Sequence, residues 1–277
     1  MEIKFEHVSY VVNEFTPLEK TILNDVSFSM KGPGIYAVLG SSNSGKTAIG
    51  DLINALLVPT KGSVKIGRFT NNGVNRIKNI DKLRFDTGYV YKNPYDMFFN
   101  NTVKKEIEYG MKYFKYKLEK IDMRASEALK LVSLDDSYLD MNPQDLSFCD
   151  AKKVALAYNP NVLILDEFTA GLTYKDKNEL LRLLRILKTK YKKMIILLSK
   201  DTSFCYQIAD YVYLMHMTKL ACEGEKEILN NVETLKELDL EVPPIVDFVN
   251  ECNKNGHEIY HYTTTHDLIK GVYRDVF

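Results

Sequence analysis

The stretch GSSNSGKT, Gly40 to Thr47, follows the apolar run IYAVL at 35–39 and precedes an amphipathic stretch that begins at Ala48. Its spacing fits G-x-x-x-x-G-K-[ST]. In that pattern glycines let backbone N–H groups wrap phosphates, a lysine supplies a point charge, and the last hydroxyl faces Mg²⁺. A buried strand that enters and a helix that leaves is the context the pattern requires, and the helix N-terminus itself favours an anion. Gly40, Ser41, Ser42, Asn43, Ser44, Gly45, Lys46, Thr47 and Ala48 are therefore the candidate nucleotide-binding residues. Asn43 stands where many such loops carry glycine; asparagine tolerates the left-handed conformation better than most residues, so the loop is read as intact.

A second stretch, NVLILDEFTAGL at 161–172, ends an apolar run in two acids. Open α/β sheets bind ligands beyond the carboxyl ends of their strands. Asp166 is read as a Mg²⁺ ligand together with Thr47, and Glu167 as the group that polarises an attacking water. Taken alone, an acidic strand end facing solvent would look the same; the phosphate loop upstream gives it its meaning.

Short β-rich apolar runs at 35–40, 88–91, 162–166, 194–199 and 211–215 alternate with helix-length amphipathic runs at 48–57, 103–116, 124–131 and 178–190. Such alternation implies an α/β fold with a mainly parallel sheet. The runs at 3–12, 26–30 and 63–66 read as an antiparallel β-subdomain. Helical, charged sequence takes over at about 93–159, which is read as a helical subdomain. Composition shifts again after Gly224, so the expected division is a main domain at 1–223 and a small appendage at 224–277.

The chain of 277 residues is 45% hydrophobic, with Lys+Arg and Asp+Glu both at 37 and a net charge of zero. That balance argues against a dedicated nucleic-acid binder. Four cysteines (Cys149, Cys205, Cys222, Cys252) lie far apart and read as free thiols in a reducing compartment. The alternating, charged N-terminal segment reads as no signal peptide. Apolar runs such as 194–198 are far shorter than the ~20 residues of a membrane span.

These stretches resemble the ATP-binding cassette (ABC) ATPases, and more closely the ATPase subunits of energy-coupling factor (ECF) transporters. MEIKFEHVSYVVNEFTPLEKTILNDVSFSM resembles the family's opening strands, and LLVPTKGSVKIG follows the phosphate-loop helix in the family's order. TGYVYKNPYDMFFNNTVKKEIEYG resembles its Q-loop and the start of its helical subdomain. ETLKELDLEVPPIVDFVNECNKNGHEI resembles the C-terminal appendage of ECF subunits. The resemblance implies the P-loop fold of ABC ATPases, ATP as ligand with Mg²⁺, and a head-to-tail pairing with a second ABC ATPase subunit, expected here as a heterodimer. It further implies a membrane coupling subunit, a substrate-binding membrane subunit and a peripheral place on the cytoplasmic face of the membrane.

Against that resemblance several positions depart. The adenine-stacking aromatic is Val12, the Q-loop glutamine is Lys92, and the signature LSGGQ reads LSFCD at 146–150. The proline after the catalytic acid is Phe168, the D-loop aspartate is Thr173, and the switch histidine is Lys200. The helix after the signature reads about one turn short. Lysine offers neither a metal nor a water the acceptor that glutamine or neutral histidine can. Lys92 and Lys200 therefore stand at catalytic positions as cations that weaken Mg²⁺ binding, and Lys200 is expected to pair with Glu167. Phe148, Cys149 and Asp150 obstruct a helix end that would meet a phosphate, although Ser147 retains a hydroxyl to donate. The reading is a degenerate ECF-type subunit that binds ATP and hydrolyses it poorly. A fully active ECF ATPase and a soluble nucleotide-gated interaction module are the alternatives.

Overall fold

A computed structural model describes residues 1–74, 77–113, 121–157, 160–257, 259–260, 262 and 264–276. Its framework is a six-stranded sheet of β3 (Gly34–Gly40), β6 (Thr87–Val90), β7 (Val162–Asp166), β8 (Met194–Ser199), β9 (Tyr211–His216) and β10 (Lys219–Glu225). The strand order is β10-β9-β3-β8-β7-β6, parallel throughout except for the antiparallel edge strand β10. Every residue of β3, β7 and β8 is buried. That explains their uninterrupted apolar runs, since a parallel strand covered on both faces has no solvent side to mark with polar residues.

Alternation along those strands divides the core into two. Ile35, Ala37, Leu39, Leu163, Leu165, Ile195 and Leu197 face one cluster. It is completed by Val103 and Ile107 of α3 (Val103–Tyr113), Ala125 and Leu129 of α4 (Ile121–Leu131), Val154 of α5 (Phe148–Leu156), and Leu180 and Leu184 of α6 (Tyr174–Thr189). Tyr36, Val38, Val162, Ile164, Ile196 and Leu198 face the other, with Ile49, Leu52 and Ile53 of α1 (Lys46–Ile53) and Leu83 of α2 (Ile80–Asp86). A four-stranded antiparallel sheet covers this second face. Its strands β1 (Glu2–Val12), β2 (Lys20–Lys31), β4 (Lys61–Ile66) and β5 (Phe69–Asn72) take the order β2-β1-β4-β5. In β1 the pattern is legible: Ile3 and Phe5 point inward, Glu2 and Lys4 outward.

Several boundaries differ from the sequence expectation. Helix α1 ends at Ile53 and not at 57, because Ala55 turns left-handed (φ 51°) and the N–H groups of Leu56 and Leu57 fold back on the Asp51 carbonyl (2.8 and 3.2 Å). Helix α6 begins at Tyr174 and not at 178. Thr173 there forms a capping box: its Oγ1 accepts from Asp176 N (3.2 Å), and Asp176 Oδ2 accepts from Thr173 N (3.1 Å). The expected helix at 103–116 is α3 as far as Tyr113; its last residues lie outside the described ones. Strand β2 is longer than the expected 26–30 because it pairs with β1 along most of its length. Strands β5 and β10, helix α2 and helix α7 (Thr202–Ile208) were not legible at all.

After β10 come α8 (Val232–Glu237), α9 (Pro244–Lys254) and α10 (Thr265–Val276). The boundary expected at 223/224 falls inside β10. Leu229, Leu235, Leu240 and Val246 join the same core as Leu39 and Leu165, so the C-terminal segment begins docked on the main body. Losing the N-cap hydroxyl of α6 should cost about 1 kcal/mol. Thr173→Ala is accordingly expected to lower the urea midpoint with an unchanged slope, and an unshifted midpoint would show that the box contributes nothing.

Candidate functional site

Strands β3, β7 and β8 end in register: Leu39 lies opposite Ser199, and Asp166 opposite Leu198. The sheet therefore presents the phosphate loop and the acid pair along one edge. Gly40 closes β3 where a Cβ would collide with Ser44 Oγ and lie 2.7 Å from the Met215 carbonyl. Gly45 takes φ 95°, and a Cβ there would lie 2.5 Å from Leu23 Cδ2 and 2.7 Å from the Ile22 carbonyl. Both positions exclude a side chain, and β2 is packed directly on the loop. Asn43 adopts the left-handed conformation at φ 65°. Ser42, Asn43 and Thr47 are exposed along the loop, Ser41 is half-buried, and Ser44 and Ala48 turn inward.

Lys46 is only 6% exposed. Its Nζ donates to the carbonyls of Gly40 (2.7 Å) and Ser41 (2.8 Å) and to Ser44 Oγ (3.4 Å), bridging the two ends of the loop. Burial draws its pKa below the usual lysine value, while the charges of Glu167 and Asp166 oppose the shift.

Thr47 Oγ1 donates to Asp166 Oδ2 at 2.9 Å, and Tyr89 OH donates to the same oxygen at 3.3 Å. Asp166 Oδ1 is buried and has no hydrogen-bond partner among the described residues. A buried carboxylate oxygen without a hydrogen bond is costly, and a hard cation with oxygen ligands relieves that cost. The donor set of Thr47 and Asp166 therefore fits Mg²⁺. Burial and the neighbouring Asp166 charge push the Asp51 carboxyl up to about 6. Burial likewise raises Tyr89, whose hydroxyl stays a donor. Neither Tyr89 nor Asp51 was legible as a site residue, since each belongs to an otherwise ordinary strand or helix. Glu167 is half-buried at φ 42°, a conformation costly for a residue with a side chain and typical of functional turns.

Lys92 is exposed and lines a cavity of about 460 Å³ together with Tyr91, Phe148, Asp166 and Gly171. Lys200 follows β8 and is exposed. Contrary to expectation, it forms no ion pair with Glu167 among the described residues. A charged ammonium so placed keeps its hydration, and no burial forces it to find a partner. The next residue, Asp201, is taken up instead by capping α7 at Phe204 N (2.9 Å) and by pairing with Lys177 (2.6 Å). Val12 pairs with Lys20 at the turn end of the β1–β2 hairpin.

The end of α5 differs most from its sequence reading. Ser147 Oγ accepts from Asp150 N (3.1 Å) and donates its proton to Asp150 Oδ2 (2.7 Å). Asp150 also accepts from Tyr138 OH (3.4 Å) and pairs with Lys153 (3.3 Å), which reaches on to Glu179 (3.0 Å). The Ser147 hydroxyl is thus already committed and is no free donor to a phosphate. The helix N-terminus holds its own carboxylate.

Lys152 was missed by sequence reasoning. It is 0% exposed. Its Nζ donates to the carbonyls of Phe168 (2.5 Å) and Ala170 (3.4 Å) and lies over the rings of Phe148 (4.7 Å) and Phe168 (5.1 Å). The signal was present, since 148, 152 and 155 fall on the inward face of a 3.6-residue period. Burial pushes Lys152 down to about 8. In the unfolded chain lysine titrates near 10.4. Between these values the unfolded chain binds the extra proton, so this group makes stability rise with pH, by an amount on the order of 3 kcal/mol over the whole window. Lys152→Met lacks that contribution. The stability difference between wild type and variant, measured by urea unfolding at pH 7.5, 9 and 10.5, should shift toward the wild type as pH rises. Parallel pH profiles would show that Lys152 titrates normally.

The sequence pattern of the ABC transporter family matches residues 23–170. The ECF transporter ATP-binding protein EcfA2 of Clostridium perfringens is 33% identical over 269 residues, 94% of this chain and 92% of that protein. EcfA2 of Streptococcus thermophilus is 34% identical over 265 residues, 93% of each chain. Among solved structures, cbiO1 of Clostridium perfringens, part of the ABC transporter complex cbiONQ, superposes with a TM-score of 0.74 at 26% identity, covering 90% of this chain and 98% of its own. The dimeric cassette MJ0796 with ADP and Pi gives 0.72 at 22% identity, covering 81% and 98%, a likeness of fold alone. With the phosphate loop, the acid pair and more than nine-tenths of the chain in agreement, this protein belongs to the ABC transporter ATPases and, among them, to the ECF transporter ATP-binding proteins.

Proposed function

We propose that this chain is the ATP-binding but hydrolytically weak subunit of an ECF-type importer of a vitamin, metal or other micronutrient. The observation that carries the reading is the sealed end of α5. The Asp150 carboxylate takes the Ser147 proton and Ser147 Oγ takes the helix N–H of Asp150, the two donors that a phosphate from a facing subunit would need. Like charge then opposes the approach of that phosphate. The chain keeps the half of a shared site that holds nucleotide and lacks the half that completes a partner's.

ATP lies with its phosphates in the loop at 40–47, against Lys46 and the N-terminus of α1. Thr47 and Asp166 hold Mg²⁺, which neutralises charge on the phosphates when bound. Glu167 is placed to orient a water. Lys200 cannot accept the hydrogen bond that a neutral histidine would. Lys92, at the cavity that contains Asp166, adds a positive charge on the metal side and weakens Mg²⁺ binding. Because both lysines are exposed, solvent screens that repulsion and leaves the metal site usable.

A second ATPase subunit with an intact signature pairs with this chain as a heterodimer. A membrane coupling subunit and a substrate-binding membrane subunit hold the pair at the cytoplasmic face. Among the described residues no helix is long and apolar enough to cross a membrane, so the chain reaches the membrane through these partners. A cavity of about 1110 Å³ between β6 and the helices α3 and α4, lined by Tyr91, Ile107, Tyr109 and Leu131 among others, supports docking of the coupling subunit there. The retained Thr47–Asp166–Glu167 arrangement keeps a fully active ATPase as the second reading.

Calorimetric titration tests binding: Lys46→Ala abolishes ATP binding, and chelating Mg²⁺ with EDTA weakens the wild type by no more than about tenfold, or 1.4 kcal/mol. Unchanged affinity in Lys46→Ala contradicts the loop assignment, and a much larger loss on chelation contradicts the part given to the lysines. Turnover is tested on the isolated chain. Negligible hydrolysis is expected, with partial recovery in Lys92→Gln/Lys200→His only beside a subunit that supplies an intact signature. Turnover by the isolated wild type in the range of ordinary enzymes, about 1–10³ s⁻¹, favours the second reading.

A further inference from the structure

We infer that Tyr89 is a positioning residue for the Asp166 carboxylate: its hydroxyl, reaching into a gap that Gly50 leaves in α1, holds one oxygen and keeps the other open to a cation. This rests on the reading that Thr47 and Asp166 hold Mg²⁺ beside ATP. Tyr89 is only 7% exposed. Its OH donates to Asp166 Oδ2 at 3.3 Å, the oxygen that also accepts from Thr47 Oγ1 at 2.9 Å. The other oxygen, Oδ1, is buried and takes no hydrogen bond among the described residues. A carboxylate can accept on either oxygen, and the torsion that turns it is broad. Thr47 alone would leave the plane of the group free about a single bond. A second donor, from β6, fixes which oxygen is engaged and which is offered.

The hydroxyl reaches Asp166 because α1 carries no side chain where the tyrosine passes. Gly50 lies inside that helix and is buried. A Cβ there would stand 2.9 Å from both Cε2 and OH of Tyr89, and 2.6 Å from Leu198 Cδ1. Glycine in a helix interior is less stable than alanine, so α1 gives up helix stability at the residue that faces the tyrosine hydroxyl. The ring is held from other sides as well. It packs on Tyr91, with centroids 4.8 Å apart, and belongs to the same buried cluster as Ile49, Ile164 and Leu198. A ring locked by packing has little freedom in where it places its hydroxyl, which is what a group that orients a ligand requires.

Two opposed effects follow from removing the hydroxyl. A carboxylate that loses a donor becomes more basic, which by itself strengthens a bond to a cation. Against this, Asp51 hydrogen-bonds the same hydroxyl, and its charge and that of Asp166 repel. Without the shared donor, Asp166 is free to turn under that repulsion, and Oδ1 is no longer held in place. Outer-shell partners of metal ligands typically contribute about 10–100-fold to metal affinity, so the loss of orientation outweighs the gain in basicity.

The test uses the full chain with ATP and with Mn²⁺ as the probe cation, free Mn²⁺ being followed by its electron paramagnetic resonance signal. By linkage, a metal that strengthens ATP binding up to about tenfold is held up to about tenfold more tightly by the protein–ATP complex than by free ATP. Tyr89→Phe keeps the ring and removes one oxygen; it should weaken Mn²⁺ in the complex by about threefold or more. ATP affinity in EDTA should stay at the wild-type value, which a general defect of the fold would lower. Gly50→Ala should bring a similar loss, and the double variant no further one, because the same bond is lost only once. Wild-type Mn²⁺ affinity in Tyr89→Phe, with Asp166→Ala weakening it, overturns the inference and spares the metal site. Equal losses of ATP affinity with and without metal in Tyr89→Phe also overturn it, because the tyrosine would then act through the loop. Wild-type Mn²⁺ affinity in Gly50→Ala overturns the part given to the glycine. Mn²⁺ held normally in Asp166→Ala removes the reading on which the inference rests.

Discussion

The hydrogen bond from Thr47 to Asp166, 2.9 Å long, is the constraint on which the rest of the site depends. It joins the first turn of α1 to the end of β7, although the loop that precedes α1 leaves β3 and one whole strand, β8, lies between. The bond is possible only because β3, β8 and β7 end in register and α1 crosses over them. A slip of one residue in any of these parallel pairings would turn the strand's apolar faces over and swap the two core clusters. The hydrophobic pattern that stabilises the sheet thus also fixes the distance between the phosphate loop and its acid. Tyr89 adds a second donor from β6, so two elements converge on one oxygen of the carboxylate and leave the other for a cation.

Much of this was legible because the same residues serve both core and site. The runs at 35–40 and 162–166 are strands that end in ligand groups, and their continuous apolar character follows from burial on both faces. The phosphate loop was legible for a different reason: Gly40 and Gly45 stand where no side chain fits, so few sequences can build that turn. What escaped notice was set by tertiary contact. Lys152 is a charged residue in a helix, ordinary in composition, and only the fold reveals that Phe148, Phe168 and two carbonyls enclose it. Helix α7 and strand β5 are short segments whose identity comes from their neighbours and not from a period of their own. The early start of α6 is marked in the sequence by Thr173 and Asp176, a capping box at the position where the family resemblance places the D-loop aspartate.

The departures from the family pattern turn out to be connected. Phe148 replaces a signature glycine and Phe168 replaces a proline, and they are the two rings that lie over the Lys152 ammonium. A buried charge is tolerable only when paired or hydrogen-bonded, so these positions support one another, and reversal of one strips cover from the cation. Lys152 in turn holds the carbonyls of Phe168 and Ala170, in the turn directly after Glu167. The signature helix and the acid are thereby tied within one chain. The N-terminal part of α5 thus braces the turn that follows its own β7.

That exchange has a consequence for how a pair of unlike subunits would work. Ligand binding to a loop needs only the loop, the metal ligands and a surface for the base, and this chain keeps the first two on rigid elements. Completing a partner's site needs an uncommitted helix N-terminus, and here Asp150, Ser147, Tyr138 and Lys153 have closed it. Reopening it means breaking a charge pair and two hydroxyl bonds without new partners for the groups released, which a few kcal/mol of interface energy must offset. On the proposed reading, the chain would receive a donor surface more readily than it would offer one. In such a pair the two nucleotide positions cannot be equivalent: one is completed by an open helix end from the other subunit, and the other faces a carboxylate. Closure and reopening of the pair would then be governed by the nucleotide held in this chain's loop, the position that the other subunit's open helix end completes.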